Sequence, residues 1–188
     1  MDINNRLTKL FKVKDKNILS IYFTAGFPDF SNTLEIAKLL DKTGIDFIEI
    51  GIPFSDSLVD GPTIQASNEK ALENGMTLSK LFDQLKDLRK ETQIPVILMG
   101  CINPILAYGM DKFVKDSKEV GVDGALIADL PPEEFVDKYK ESFDNANLSF
   151  ISLVTKHCNE ERIKYLDNVS NGFLYVVSSD AVTGTEVS

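Results

Sequence analysis

Residues 44–51 read Gly-Ile-Asp-Phe-Ile-Glu-Ile-Gly, a glycine followed by a short run that is apolar on both faces. Such a run is typical of a strand in a parallel sheet that is covered on both sides. The same glycine-led pattern recurs at Gly121-Val122-Asp123 and at Gly172. Glycine there supplies the left-handed residue that ends a helix before the next strand begins. The repeat therefore predicts a series of βα units.

Six apolar, β-branched runs extend this pattern along the chain and predict six strands: Ile18 to Phe23, Ile45 to Ile50, Pro95 to Met99, Val122 to Ala128, Leu148 to Val154 and Phe173 to Val177. Segments with helical apolar spacing lie between them, as in a parallel sheet with right-handed crossovers. Two α/β architectures fit, a doubly wound sheet and a (β/α)8 TIM barrel. No G-x-G-x-x-G follows the first strand, which disfavours a dinucleotide-binding sheet.

A complete barrel takes ~250 residues, whereas this chain has 188. In the barrel interpretation, residues 1–188 are therefore a single domain of about six βα units, incomplete at the C-terminus because the last two units are missing.

The composition excludes several classes of function. The chain is 43% hydrophobic and carries 20 basic and 29 acidic residues, for a net charge of −9. This charge repels phosphodiester backbones, so we expect no binding to nucleic acid. No apolar run approaches the ~20 residues of a membrane span, and the start lacks the pattern of a secretory signal. Two cysteines favour a cytoplasmic location, and a single histidine, His157, argues against a metal site.

Two carboxylates are the candidates for chemistry. Glu49 stands inside the apolar second strand, where an unpaired charge would be costly. It either faces a lysine or arginine or performs a function. Asp60 lies in the following loop, just before a helix that begins near Pro62, and a capping role for it is the structural alternative. Two carboxylates in different environments on one βα unit suit separate acid and base roles.

These residues resemble the α subunit of tryptophan synthase, and the resemblance runs the whole length of the chain. It is carried by 49–56 (Glu-Ile-Gly-Ile-Pro-Phe-Ser-Asp) and 60–65 (Asp-Gly-Pro-Thr-Ile-Gln) and supported by shorter matches. The supporting matches are Thr24-Ala25-Gly26, Asn103-Pro104-Ile105, Tyr108-Gly109, Ala128-Asp129-Leu130-Pro131 and Val182-Thr183-Gly184.

The resemblance implies a (β/α)8 barrel that cleaves indole-3-glycerol phosphate to indole and glyceraldehyde 3-phosphate by retro-aldol chemistry. It implies that Glu49 does the proton work and that Asp60 binds the indole N–H and stabilises positive charge on the ring. It also implies no cofactor in this subunit, transfer of indole to a β subunit that carries PLP, and an α2β2 complex.

The resemblance assigns further residues to binding. Those of the substrate pocket are Tyr22, Ile64, Tyr175 and Thr183, and Gly184 helps to hold phosphate. Those expected to face the β subunit are Pro53, Phe54, Asp56, Asn103 and Pro104.

The sequence departs from the family pattern at several positions, namely Ser57, Gly100-Cys101-Ile102, Thr155-Lys156-His157-Cys158 and Ser179-Asp180-Ala181. It also ends at Ser188, before the loops after strands seven and eight that hold phosphate in barrels of this kind. We therefore expect the 188-residue chain by itself to be inactive.

Two other functions remain open at this point. One is a Schiff-base aldolase on a similar barrel, with Lys156 at the end of the fifth strand as the nucleophile. The other is a non-catalytic subunit that binds and activates the β subunit.

Overall fold

The computed structural model describes residues 3–57 and 60–177. Its strands are β1 Ser20–Thr24, β2 Phe47–Gly51, β3 Val96–Gly100, β4 Gly124–Ile127, β5 Ser149–Phe150, β6 Leu153–Val154 and β7 Tyr175–Val176. Its helices are α1 Arg6–Val13, α2 Thr33–Asp41, α3 Pro62–Glu73, α4 Leu78–Leu85, α5 Leu88–Glu91, α6 Ile102–Tyr108, α7 Met110–Val120, α8 Pro132–Glu134, α9 Lys140–Ala146 and α10 Glu160–Val169. A π-helical turn, Phe135–Tyr139, joins α8 to α9.

The first five strands form one parallel sheet in the order in which they occur along the chain. A doubly wound sheet reverses its strand order at a switch point, whereas a barrel adds each strand beside the previous one. The unbroken order therefore confirms the prediction of a barrel architecture, of which the described residues form a part.

The predicted fifth strand, Leu148 to Val154, is wrong as a single element. Its first half, β5, pairs with β4, and its second half, β6, pairs with β7 in a separate two-stranded sheet. Between them the N–H of Ser152 donates to the hydroxyl of Ser170 at 3.0 Å instead of to a strand carbonyl. The apolar run looks continuous because both halves are mostly buried, although the backbone changes its partner within it.

The sheet separates two apolar clusters, because alternate side chains of a strand point to opposite faces. The larger cluster lies between the sheet and the helices and includes Ile48, Ile50, Val96 and Leu98. The smaller cluster lies on the other face, which is the interior of the barrel. Its buried members are Leu7, Phe47, Ile97, Leu126 and Ile151. Glu49 alternates with Ile48 and Ile50 along β2, so it belongs to the interior face.

Helix α1 closes the barrel interior at the amino ends of the strands. Leu7 is fully buried there, and the ring of Phe11 stacks on that of Phe173 with 5.0 Å between centroids. Asn5 caps the helix by accepting a hydrogen bond from the N–H of Thr8. Its amide also donates to the carbonyl oxygen of Asp123 at 2.7 Å, which ties the cap to the sheet.

Asp123 anchors this amino end of the sheet. Its side chain is 1% exposed, and both carboxylate oxygens accept two hydrogen bonds. Oδ1 accepts from the backbone N–H and the guanidinium of Arg6, at 3.2 and 3.3 Å. Oδ2 accepts from Arg89 at 2.8 Å and from the backbone N–H of Val96 at 3.0 Å. Burial lowers the pKa of Arg89 to about 10, with the charge of Asp123 acting in the opposite direction. The four donors make this carboxylate a structural link between α1, α5, β3 and β4.

Candidate active site

Glu49 is the central residue of β2 and is 2% exposed. In the sheet register it lies between Tyr22 of β1 and Ile97 of β3. The hydroxyl of Ser20 donates a hydrogen bond to its Oε1 at 2.5 Å. Its Oε2 is buried and has no hydrogen-bond partner among residues 3–57 and 60–177. A buried acceptor without a donor is uncommon in folded proteins and calls for an explanation.

Burial raises the pKa of Glu49 above its ordinary value of 4.5, and the hydrogen bond from Ser20 opposes that rise. One interpretation of the sequence was that Glu49 is paired with a lysine or an arginine. The structure shows otherwise, because in the described part of the chain its one side-chain hydrogen bond comes from Ser20. A carboxyl group with a raised pKa can release and recover a proton near neutral pH, as general acid–base catalysis requires.

Asp60 is half-buried and precedes α3 without capping it. The N-cap of that helix is Gly61, and no side chain makes a capping bond there. Instead, Oδ2 of Asp60 accepts a hydrogen bond from the side-chain amide of Asn68 at 3.1 Å. The capping alternative for Asp60 is therefore wrong. Asn68 is 2% exposed and orients this carboxylate, a contact that the sequence analysis did not identify.

A pocket beside Asp60 lies at the carboxyl ends of β1 to β4, where barrel enzymes place their active sites. The residues around it are Tyr22, Ile52, Phe54, Ser57, Asp60, Met99, Gly100, Cys101 and Ala128. Burial, partly offset by a hydrogen bond to Thr24, raises the pKa of Tyr22 to about 12, and the charges of Asp60 and Glu49 add to the rise. Asp60 lines this pocket, whereas Glu49 is not among its lining residues and lies beside Tyr22 in the sheet register.

The Tyr22 ring lies over Gly51 of the neighbouring strand. A Cβ atom at position 51 would stand 2.1 Å from the hydroxyl oxygen of Tyr22, so only glycine fits beneath the ring. The Tyr22 hydroxyl is 3.4 Å from that of Thr24, which is 2.7 Å from the hydroxyl of Ser67. The hydroxyl of Ser67 also donates to the carbonyl oxygen of Ile64 at 2.9 Å, which continues these contacts into α3. Position 22 is thereby fixed at one side of the pocket.

Two departures from the family pattern contact each other across the pocket. The hydroxyl of Ser57 is 3.5 Å from the sulfur of Cys101, and both residues are buried. Burial raises the pKa of the Cys101 thiol, which keeps it in its neutral form. The third departure, Gly100, lies under Ile52, where a Cβ atom would come within 3.0 Å of the isoleucine side chain. Small side chains at positions 57, 100 and 101 leave Tyr22 and Phe54 as the aromatic groups of the pocket.

Of the remaining predicted substrate residues, the structure describes Tyr175 and Ile64, and neither is among the residues that line this pocket. Tyr175 in β7 packs in the barrel interior, and burial together with the charge of Glu49 raises its pKa. Ile64 is half-buried in the first turn of α3 and does not line the pocket. Thr183 and Gly184 lie outside the described residues.

The five residues predicted to face the partner differ in their exposure to solvent. Asp56 and Asn103 are exposed, Phe54 and Pro104 are half-buried, and Pro53 is buried. Except for Asp56 and Asn103, these residues border one apolar groove between β2, α4 and α6.

Lys156, the candidate nucleophile of the aldolase alternative, is exposed in the loop after β6. A Schiff-base lysine is usually desolvated or placed beside another cation. Its exposure therefore gives the aldolase alternative no support.

Residues 3–57 and 60–177 contain no helix with the length and apolar character needed to cross a bilayer. The same residues include no group of three or more His, Cys, Asp or Glu side chains placed to hold a metal ion.

Parallel strands in barrel order, with one buried carboxyl group and a second carboxylate at their carboxyl ends, define a class. The chain is a barrel enzyme whose site is suited to acid–base chemistry on a small molecule.

Comparison with known proteins narrows this class. The family model for the tryptophan synthase alpha chain matches residues 8–188. The tryptophan synthase alpha chain of Christiangramia forsetii is 54% identical over 181 residues, which cover 96% of this chain and 70% of that protein. The one from Flavobacterium psychrophilum is 51% identical, with 96% and 71% covered. The chain therefore belongs to the tryptophan synthase alpha chain family.

Solved structures agree with this assignment. The tryptophan synthase alpha chain of Legionella pneumophila superimposes with a TM-score of 0.85 at 37% identity, covering 98% of this chain and 69% of that one. A tryptophan synthase structure from Mycobacterium tuberculosis gives a TM-score of 0.87 at 30% identity, with 97% and 72% covered. The shared fold confirms the TIM-barrel class predicted from the sequence.

Proposed function

We propose that Glu49 and Asp60 cleave indole-3-glycerol phosphate to indole and glyceraldehyde 3-phosphate, the alpha reaction of tryptophan biosynthesis. The observation that carries the proposal is the buried Oε2 of Glu49, which has no hydrogen-bond partner within the described part of the chain and lies on the interior face of the barrel. Membership of the tryptophan synthase alpha chain family supports a carbon–carbon lyase, and an exposed Lys156 argues for acid–base chemistry instead of a Schiff base.

The reaction requires two proton transfers. Ring carbon C3 gains a proton, and the hydroxyl on the adjacent glycerol carbon loses one as the bond between these carbons breaks. The bonding electrons remain with the ring, and the glycerol carbon becomes the aldehyde of glyceraldehyde 3-phosphate. No proton is consumed overall, so one group that accepts and returns a proton suffices. Glu49 fits this role because its raised pKa brings the two protonation states closer in free energy at neutral pH.

Asp60 supplies the electrostatic part of the proposal. Protonation at C3 leaves positive charge on the ring, which is spread onto the ring nitrogen. A carboxylate that accepts a hydrogen bond from the ring N–H stabilises this charge most strongly in the transition state. Asn68 holds one oxygen of Asp60, which orients the carboxylate before substrate binds. Tyr22 is the pocket wall beside it, and Ile64, Tyr175 and Thr183 are further substrate contacts, with Gly184 at the phosphate.

These residues account for the chemistry by proton transfer and charge, so we propose that this subunit uses neither a metal nor PLP. In this proposal PLP belongs to the beta chain, which receives the indole. The tryptophan synthase complex of Pyrococcus furiosus contains a chain that is 37% identical to this one, which supports a partner of this kind.

The partner surface we propose is the groove edge formed by Phe54 and Pro104 together with the exposed Asp56 and Asn103. Pro53 is buried and would support this surface from beneath. The assembly is then an α2β2 complex. Titration against the beta chain should show weaker binding by Phe54→Ala, and unchanged binding would contradict the assignment.

We also propose a cytoplasmic location and no interaction with nucleic acid. The two cysteines, Cys101 and Cys158, are unpaired in the structure, which suits a reducing compartment, and the net charge of −9 repels nucleic acid. That residues 1–188 form one barrel domain, inactive by itself, stays a prediction. An indole-release assay of the 188-residue chain, with and without beta chain, tests it.

The test of the function is the Glu49→Gln variant of the natural full-length protein. Its indole release is measured in the presence of the beta chain. The amide keeps the shape of the side chain but cannot exchange a proton, so we expect turnover to fall by ~10²–10⁴-fold. Glu69→Gln on the exposed face of α3 is the matched control and should retain normal turnover. Near-normal turnover of Glu49→Gln would refute the proposal.

A further inference from the structure

We infer that Ser20 is a positioning residue for Glu49: its hydroxyl holds Oε1, so that Oε2 is the oxygen that carries the proton. This inference rests on the proposed function of Glu49 and adds a residue and an atom to it.

The hydrogen bond crosses between two strands. Ser20 is the first residue of β1 and pairs in register with Phe47, two residues before Glu49. Its hydroxyl therefore reaches diagonally along the interior face, from the amino-end side of the glutamate. The distance of 2.5 Å to Oε1 is at the short end for a hydroxyl donor, as expected for a bond to a carboxylate. Glu49 is thus held from the side away from the substrate pocket.

The two oxygens of Glu49 are consequently unequal. Oε1 has its donor, whereas Oε2 is buried and has none among the residues that the structure describes. Leaving a buried acceptor unpaired is costly, and structures usually avoid it. The free oxygen is the position at which a proton or a substrate hydroxyl removes that cost. A protonated Glu49 carries its hydrogen on Oε2, and Oε1 still accepts from Ser20, so the same geometry serves both protonation states.

The groups around Glu49 leave Ser20 a specific electrostatic role. The titratable side chains whose pKa it influences are Tyr22 on β1 and Tyr175 on β7, and its charge raises both. From β3 it faces Ile97, which does not ionise. In residues 3–57 and 60–177, neither a lysine nor an arginine forms an ion pair with it. Ser20 therefore stabilises the ionised form, against the effect of burial.

The experiment compares Ser20→Ala with Ser20→Thr. Alanine removes the hydroxyl, whereas threonine retains it and is favoured in strands. Ser117→Ala is the matched control, because the Ser117 hydroxyl is buried without a hydrogen-bond partner. Each variant is assayed for kcat and KM across pH, and the carboxyl carbon of Glu49 is followed by NMR during a titration without substrate.

We expect Ser20→Ala to shift the Glu49 titration to higher pH and to move in the same direction the limb of the kcat/KM profile that reports the ionisation of Glu49. We expect kcat to fall about tenfold, because a bond to a charged group is lost, with a smaller change in KM. Ser20→Thr should restore both, and Ser117→Ala should leave both unchanged.

An unshifted Glu49 titration in folded Ser20→Ala would overturn the inference, as would a Ser20→Thr variant that behaves like alanine. The NMR titration does not depend on catalysis, so it separates this inference from the proposed function. If Glu49→Gln is inactive while Ser20→Ala matches the parent protein, only the role of Ser20 fails. If Glu49→Gln is fully active, the proposed function fails whatever Ser20 does.

Discussion

Glu49 and Asp123 are both buried carboxylates on the same parallel sheet, exposed by 2% and 1%, yet their surroundings are opposite. Asp123 accepts four hydrogen bonds, two of them from arginine guanidinium groups and two from backbone N–H groups. Within residues 3–57 and 60–177, Glu49 accepts one, from Ser20, and has one oxygen without a partner. Asp123 precedes β4 at the amino end of the sheet, whereas Glu49 lies in β2 on the interior face. Burial is therefore common to both carboxylates, and the number of hydrogen-bond donors is what distinguishes them.

The difference follows the division of labour within barrels. The amino ends of the strands generally contribute stability, whereas the carboxyl ends carry the reaction. A fully paired carboxylate suits the first role because none of its hydrogen bonds has to break. An incompletely paired one suits the second because substrate can complete it.

The largest effect that we expect is on stability, from Asp123→Asn. Removal of one member of a buried ion pair leaves charge on Arg89 and Arg6 without compensation and typically costs ~3–5 kcal/mol. Urea unfolding should show this loss in the free energy of unfolding, and the exposed Asp137→Asn should leave it nearly unchanged. A loss below about 1 kcal/mol would contradict the structural role of Asp123, because an exposed ion pair contributes as much to the free energy of unfolding.

The second effect is on activity, from Asp60→Asn. Asp60 stands between the two extremes, because it is half-buried and has one side-chain donor, Asn68. We expect turnover to fall by ~10²–10³-fold, as for removal of one preorganised electrostatic group. Stability should hold, because Asp60 does not cap α3. If the variant were strongly destabilised while its folded fraction kept normal turnover, Asp60 would be a structural residue like Asp123.

The smallest effect is a pH dependence of stability. Burial raises the pKa of Glu49 in the folded state above the 4.5 of an exposed group, so the folded state binds this proton more tightly than the unfolded state. The stabilising contribution is present below that value and is lost as pH rises through the folded pKa. Relative to Glu49→Gln, the parent protein should therefore lose stability as pH increases above about 4.5. Unfolding curves at several pH values measure this, and a constant difference would contradict the raised pKa.

The sequence predicted the strands that are buried on both faces, because a run such as Phe47–Gly51 has one interpretation once helices flank it. It failed at Leu148 to Val154, where apolar character does not reveal which strand each N–H and C=O will join. Resemblance to a family supplied Glu49 and Asp60 with their expected roles. It did not supply Ser20 or Asn68, because a hydroxyl or amide becomes meaningful only when the fold brings it to a carboxylate.

The contact between Gly51 and Tyr22 constrains how this site can change over evolutionary time. A Cβ atom at position 51 would meet the tyrosine ring and its hydroxyl, with carbon contacts of 2.6 and 2.8 Å in addition to the oxygen. Loss of the hydroxyl alone would therefore not free position 51, since the ring carbons still occupy the space. A lineage would have to shorten residue 22 first and enlarge residue 51 afterwards, and the reverse order passes through a variant with a displaced pocket wall. The two positions are therefore expected to change together. Mutant libraries that vary one of them at a time will recover the arrangement with a large residue 22 and glycine at 51, and will miss the arrangement with a small residue 22 and a larger residue 51.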